Sequence, residues 1–100
     1  MTLDADSPQV TRFLHVWHEA ERGRFEHACP NLDYDSYAAK LATTRKKYIA
    51  LDRCTLGVSK GGVFLIDRET GDAFNIVAYG RPNRRIGTLT SLTAEYETRS

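Results

Sequence analysis

The first third of the chain carries apolar residues at helical spacing. The residues of this stripe are Val10, Phe13, Leu14 and Trp17, with Ala20 and Glu21 next on the same face. They recur at i, i+3, i+4 and i+7, the period of an amphipathic helix. Ser7 followed by Pro8 is typical of an N-cap with proline at the first helical position, and Pro30 disfavours helix before it. The pattern predicts a helix over residues 7–28.

A second apolar stripe follows after a short polar segment. It consists of Tyr34, Tyr37, Ala38 and Leu41. Asp33 or Asp35 can act as its N-cap, and "TTRKK" ends the segment with cations, which complement the negative end of a helix dipole. The stripe predicts a helix over 34–46. Residues 47–53 fit either the tail of that helix or a strand, and we interpret them as a strand.

The second half alternates in the manner of a β-hairpin. Residues 62–67 and 72–79 are rich in β-branched and aromatic side chains, and "RETG" separates them. Gly71 can adopt the positive φ that the turn requires. The segment 88–100 is expected to add a short strand or turn. These elements predict a single α+β domain over 1–100, with two N-terminal helices packed on a three-stranded antiparallel meander.

This arrangement predicts a specific core. The two helices are expected to bury Phe13, Trp17, Tyr37 and Leu41 against the sheet face that carries Phe64, Ile66 and Phe74. The other sheet face would be covered by the C-terminal segment or by a partner, which would allow a homodimer through the sheet.

Composition narrows the class of protein. Hydrophobic residues make up 41% and charged residues 27% of the 100 residues, which is typical of a globular domain rather than a disordered chain. The formal net charge is only +1, so an electrostatic partner must be recognised by local clusters. The acidic start and the lack of a long apolar run predict no signal peptide and no membrane contact. We expect a location in the cytoplasm, where Cys29 and Cys54 would be free thiols rather than a disulfide.

Candidate catalytic chemistry is sparse. His15, His18 and Glu19 lie within one helical turn, but zinc-binding helices space their histidines at i and i+4 and need a further ligand. The glycines of "GGVF" precede a strand, whereas phosphate-binding loops follow one. We therefore predict no metal, no cofactor and no enzymatic activity.

Two basic clusters are the stronger signal. The candidate nucleic-acid-binding residues are Arg45, Lys46, Lys47, Tyr48, Tyr79, Arg81, Arg84 and Arg85. Guanidinium groups suit phosphate, and tyrosine rings offer bases a stacking surface that tolerates any sequence. In a simple meander both clusters are expected at the same end of the sheet, where they would bind a single strand.

The second half also resembles a group of small uncharacterised bacteriophage and viral proteins. The similarity rests on a "KYI" strand at 47–49, a hairpin of the "VFLIDRETGD" type at 63–72, an aromatic at Tyr79, and a basic loop containing Pro82 and ending at Arg85 and Gly87. The resemblance implies a viral accessory protein acting in the host cytoplasm, and it implies no catalytic residues. The leading hypothesis is therefore a nucleic-acid-binding phage-type protein. The alternative is a protein-binding inhibitor of a host or defence factor.

Overall fold

The computed structural model describes residues 2–78 and 81–99. In chain order the elements are α1 (Pro8–Ala28), α2 (Tyr34–Tyr37), β1 (Ala38–Thr44), β2 (Tyr48–Thr55), β3 (Val58–Asp67), β4 (Asp72–Ala78), β5 (Arg81–Thr88) and α3 (Leu89–Arg99). The strands form one antiparallel sheet in the order β1-β2-β3-β4-β5. Residues of α1 and α3 share a hydrophobic core with one face of this sheet. We call the opposite face the open face.

Helix α1 confirms the helix predicted over 7–28. Proline occupies its first turn after Ser7, and its buried residues are Val10, Phe13, Val16, Trp17 and Ala20. These residues recur three and four positions apart, so they form one stripe that lies against the sheet. The spacing of apolar residues therefore predicted the location of α1 correctly.

The second predicted helix is wrong. Only one helical turn forms at Tyr34–Tyr37, and the chain then continues as strand β1. Burial along β1 alternates, with Ala38 buried, Lys40 and Ala42 half-buried, and Leu41 49% exposed. Lys40 points inward and Leu41 outward, whereas the helical interpretation placed Leu41 in the core, so the sequence did not show the period of two.

The three-stranded sheet is also wrong, because five strands pair within the described residues. Strands β2, β3 and β4 lie in the segments predicted as strands, and the segment predicted over 47–53 is strand from Tyr48 onward rather than helix tail. Strand β5 lies in the segment interpreted as a basic loop. Its composition, with Pro82 and three arginines, is poor for a central strand, but an edge strand tolerates both.

The C-terminal segment forms helix α3 rather than a strand or turn. Thr88 and Ser91 exchange hydrogen bonds: Ser91 N–H donates to Thr88 Oγ1 at 3.1 Å, and Thr88 N–H donates to Ser91 Oγ at 2.9 Å. This reciprocal pair satisfies free N–H groups at the start of the helix. Gly87 has a φ of +144°, and a Cβ there would lie 2.6 Å from Ser91 Oγ. Glycine is therefore required where the chain leaves β5.

The core is built on aromatic contacts between α1, α3 and the sheet. Phe13 and Trp17 each pack edge-on against Phe64, with ring centroids 5.6 and 5.2 Å apart, and Tyr96 of α3 meets Phe13 at 5.6 Å. Phe13, Trp17, Phe64 and Ile66 are buried as predicted. Tyr37 and Leu41 are exposed, which corrects the core expected from the second helix.

Phe74 corrects the predicted core in a different way. It pairs in register with Leu65, whereas its neighbour Ala73 pairs with the core residue Ile66. Because residues directly opposite in an antiparallel pair share a face, Phe74 lies on the open face. Its side chain therefore lies outside the core that the helices cover.

Candidate nucleic-acid interface

The turn between β1 and β2 presents three consecutive cations, Arg45, Lys46 and Lys47, all of them exposed. Arg45 N–H donates to Tyr48 C=O at 2.8 Å and closes the turn. We call these three residues the basic hairpin. Because the turn is tied at its base, its positive charges are held at one end of the sheet.

Arg68 holds the basic hairpin in place through hydrogen bonds to its main-chain carbonyl groups. Its Nη1 donates to the carbonyl oxygens of Arg45 and Lys46 at 3.1 and 3.3 Å, and its Nε donates to Leu3 C=O at 2.8 Å. Arg68 N–H also donates to Lys47 C=O at 3.2 Å. The Arg68 guanidinium therefore adds a fourth cation to the same end of the sheet. A cavity of about 540 Å³ lies beside it, lined by Thr2, Lys46, Lys47, Asp67, Arg68 and Glu69.

Two aromatic rings continue from the basic hairpin across the open face. Lys47 Nζ lies 5.5 Å from the centroid of the Tyr48 ring, and the Tyr48 ring meets the Phe74 ring edge-on at 6.0 Å. Both residues are half-buried. Arg85 of β5 pairs in register with Phe74. The result is a line of cation, ring, ring and cation, formed by Lys47, Tyr48, Phe74 and Arg85, which we call the open-face line.

Carboxylates moderate the charge of this face. Arg85 donates to Asp72 Oδ1 through Nε and Nη2, each at 3.1 Å. Asp67 Oδ1 accepts the backbone N–H groups of Thr70 and Glu69, at 3.1 and 2.8 Å. The Thr70 hydrogen bond, with that of Glu69 and the nearby Lys47 charge, outweighs partial desolvation and lowers the pKa of Asp67. Asp67 is therefore committed to the β3–β4 turn, and Asp72 orients Arg85.

Two of the predicted site residues, Arg81 and Arg84, are not brought together with the basic hairpin. Arg81 pairs with Ala78, at the end of the sheet opposite to the β1–β2 turn. Arg84 lies between them on β5, where its backbone N–H donates to Asn75 Oδ1 at 2.8 Å. The antiparallel register therefore contradicts the expectation that both clusters share one end. Tyr79 lies outside the described residues.

A second polar cluster, not predicted from the sequence, lies between α1 and β1. Lys40 Nζ donates to Glu21 Oε1 at 2.8 Å and to Tyr34 Oη at 3.0 Å, and its side chain is only 2% exposed. Arg53 of β2 donates to both oxygens of the same carboxylate. The Lys40 and Arg53 cations also lie 5.1 and 5.8 Å from the Trp17 ring centroid. We call Glu21, Lys40, Tyr34 and Arg53 the Glu21 cluster.

Electrostatics explain how a lysine is tolerated there. Burial alone raises the pKa of Glu21, but the hydrogen bonds from Arg53 and Lys40, together with their charges, outweigh it and hold the pKa below its ordinary value. The carboxylate is therefore ionised at neutral pH and neutralises the buried ammonium group. One sequence signal existed: Glu21 continues the apolar stripe of α1, so its carboxylate had to face the sheet.

His18 extends the cluster toward the surface. Its Nε2 lies 2.8 Å from Asp35 Oδ1, and its Nδ1 lies 3.4 Å from Lys40 Nζ, so Nδ1 accepts and Nε2–H donates. The hydrogen bond from His18 lowers the pKa of Asp35. The hydrogen bond and the charge of Arg22 act in the same direction, and together they outweigh the slight desolvation of the carboxylate. Among the described residues, no buried side-chain nitrogen or oxygen lacks a hydrogen-bond partner. The polar atoms of the cluster therefore satisfy one another's hydrogen bonds.

The histidines and cysteines form no metal-binding cluster in residues 2–78 and 81–99. His15 is exposed, whereas His18 is engaged as described. No group of three or more histidine, cysteine, aspartate or glutamate side chains in these ranges is arranged to hold a metal ion. Cys29 and Cys54 are unpaired thiols.

Comparisons with known proteins add no assignment. No protein-family model, curated protein or solved structure matches the chain. Within the described part of the chain, none of the helices combines the length and apolar character needed to cross a membrane. The resemblance to phage proteins therefore stays a hypothesis drawn from the sequence.

Proposed function

We propose that this protein binds single-stranded nucleic acid across the open face of its sheet. The observation that carries the proposal is the open-face line, in which the Tyr48 and Phe74 rings, 6.0 Å apart, lie between Lys47 and Arg85. Rings on an exposed sheet face give bases a stacking surface, and flanking cations contact the phosphates. The line spans from β2 to β5, three strand spacings of about 4.8 Å each, or roughly 14 Å.

The basic hairpin supplies most of the phosphate contacts in this proposal. Arg45, Lys46 and Lys47 form no salt bridge within 4.0 Å in the described part of the chain, whereas Arg12, Arg22 and Arg99 each pair with a carboxylate. A cation without a carboxylate partner binds a phosphate at a lower free-energy cost, because no existing ion pair must be broken. Arg81 and Arg84 extend the cationic edge along β5 and contribute secondarily.

Single strands fit this surface better than duplex. A base must lie flat on Tyr48 or Phe74 to stack, and bases in a duplex are already stacked on their neighbours. The carboxylates of Asp67 and Asp72 on the same face limit the total attraction for phosphate, so binding is expected to depend on the rings as well as on charge.

The test is a salt titration with a charge-matched control. The variant Arg45→Ala/Lys46→Ala/Lys47→Ala removes the basic hairpin. The control Arg12→Ala/Arg24→Ala/Arg99→Ala removes the same number of exposed charges from the helices. Affinity for a fluorescently labelled single strand is measured by anisotropy at several salt concentrations. Loss of three phosphate contacts reduces the slope of log K against log salt by about 2 units, while the control keeps the wild-type slope.

Ring variants separate stacking from charge. Tyr48→Leu and Phe74→Leu keep apolar volume but remove the ring, and each is expected to weaken binding by about 1–3 kcal/mol with little change in the salt slope. Equal loss of affinity in both charge variants would mean that net charge, rather than this surface, drives binding. No binding by the wild type would overturn the proposal and favour the alternative, a protein-binding inhibitor, whose apolar interface would respond weakly to salt.

A further inference from the structure

In the described ranges, 2–78 and 81–99, strand β1 forms an edge of the sheet and pairs with β2. Two hydrogen bonds at the ends of β1 show which of its residues bond to β2. Arg45 N–H donates to Tyr48 C=O, and Leu56 N–H donates to Tyr37 C=O. Bonded pairs alternate along an antiparallel ladder, so residues 39, 41 and 43 bond to β2. The main-chain groups of Lys40 and Ala42 consequently point away from the sheet.

Exposure shows that this edge is uncovered at its centre. The Lys40 side chain is 2% exposed, yet the residue as a whole is half-buried, so its accessible surface belongs to its main chain. Ala39, Leu41 and Thr43 are all exposed. The main chain of Lys40 is therefore accessible to solvent at the middle of β1.

The edge also lacks the features that usually prevent strand pairing. Edge strands are commonly protected by charged side chains, proline or bulges. The one charged residue of β1 is Lys40, whose ammonium group points inward to Glu21, and the β1–β2 register runs without interruption. The opposite edge, β5, carries Pro82 and three arginines, and its register with β4 shifts repeatedly. One edge is thus protected and the other is not.

We propose that β1 pairs with β1 of a second copy of this chain, in antiparallel orientation, to form a dimer with a continuous ten-stranded sheet. A twofold axis at Leu41 places Lys40 opposite Ala42 as hydrogen-bonded partners and Ala39 opposite Thr43. Two Leu41 side chains then meet at the axis, each 49% exposed in the single chain. The pairing juxtaposes no like charges, which makes a second copy the fitting partner. Because β5 is protected, association closes at the dimer instead of forming fibres.

Sedimentation analysis over a range of protein concentrations tests this dimer independently of nucleic-acid binding. The wild type is expected to convert from monomer to dimer as concentration rises. Leu41→Lys places two lysine side chains opposite each other at the axis, where the two Cα atoms are about 4.5 Å apart. Repulsion between the two ammonium groups should weaken association at least tenfold. The matched control Leu32→Lys changes a similarly exposed leucine outside the strands and should dimerise as the wild type does.

Hydrogen exchange gives a second measurement on the unmodified chain. Exchange of the Lys40 and Ala42 amides should slow as protein concentration rises, whereas that of Leu41, already bonded to β2, should not change. A wild type that stays monomeric up to about 1 mM, or a Leu41→Lys variant that dimerises equally well, would overturn the proposal.

Discussion

Replacing Glu21 with alanine should destabilise the protein far more than the loss of an ordinary salt bridge. The Lys40 ammonium group depends on this carboxylate, since its other partners, Tyr34 Oη and His18 Nδ1, carry no negative charge. The Lys40 side chain is 2% exposed and that of Glu21 is 12% exposed, so neither can turn to water without rearrangement. Arg53 is 43% exposed and can be solvated in the variant.

The magnitude follows from the burial of Lys40. Removing one partner of a buried ion pair costs about 3–5 kcal/mol, because the other charge is left without compensation. A domain of this size has a free energy of unfolding of about 5–15 kcal/mol, so Glu21→Ala would remove a large share of it. With a urea m-value of about 1.5 kcal/mol/M, the unfolding midpoint would fall by roughly 2–3 M.

Urea unfolding monitored by fluorescence measures this directly, because the single tryptophan, Trp17, lies 5.1 Å from Lys40 Nζ in the core. The control Glu95→Ala breaks an exposed pair with Arg99 and should cost about 0.3–0.5 kcal/mol. The double variant Glu21→Leu/Lys40→Met removes both charges and should recover most of the lost stability. A Glu21→Ala variant no less stable than Glu95→Ala, or a double variant no more stable than Glu21→Ala, would refute the reasoning.

Three further predictions concern stability. The pKa values of Glu21, Asp35 and Asp67 are lowered in the folded state, so these carboxylates contribute fully to the free energy of unfolding above about pH 5. This contribution is lost as pH falls through the folded pKa values, and the thermal midpoint should therefore drop between about pH 5 and pH 3. Leu56 has a φ of +52° before a glycine, a geometry that suits asparagine, so Leu56→Asn should raise the free energy of unfolding by about 0.5–1 kcal/mol in urea titrations; no gain would argue against strain there. Phe64→Ala should cost about 3–5 kcal/mol, and thermal melting within a few degrees of the wild type would contradict its place in the core.

The sequence predicted elements well where side-chain pattern and burial agree. Helix α1 and strands β2 to β4 bury their apolar residues at regular periods, so periodicity located them. Strand β1 breaks this agreement, because Lys40 points inward to Glu21 while Leu41 points outward. A long-range ion pair between α1 and β1 decides that orientation, and no local pattern in β1 encodes it.

Strand β5 and helix α3 were missed for different reasons. The sequence of β5 has weak strand propensity and forms as an edge through pairing with β4. Helix α3 did carry a signal, because Leu89, Leu92 and Tyr96 share a helical face and Thr88 precedes them as a cap. Of the candidate site, the basic hairpin and Tyr48 were found from charge and aromatic content. Phe74 was missed because the pattern alone did not show which sheet face the helices cover.

Photo-crosslinking tests the open-face line most directly. A single strand carrying 5-iodouracil is irradiated with the wild-type protein, and the crosslinked residues are identified by mass spectrometry. Halogenated bases react with aromatic rings on which they stack, so crosslinks are expected at Tyr48 and Phe74 and should be lost with the corresponding leucine variants. Phe25 and Tyr37, stacked at 5.4 Å on the helix-covered side, provide an internal comparison. Crosslinks at Phe25 or Tyr37, with none at Tyr48 or Phe74, would contradict the account.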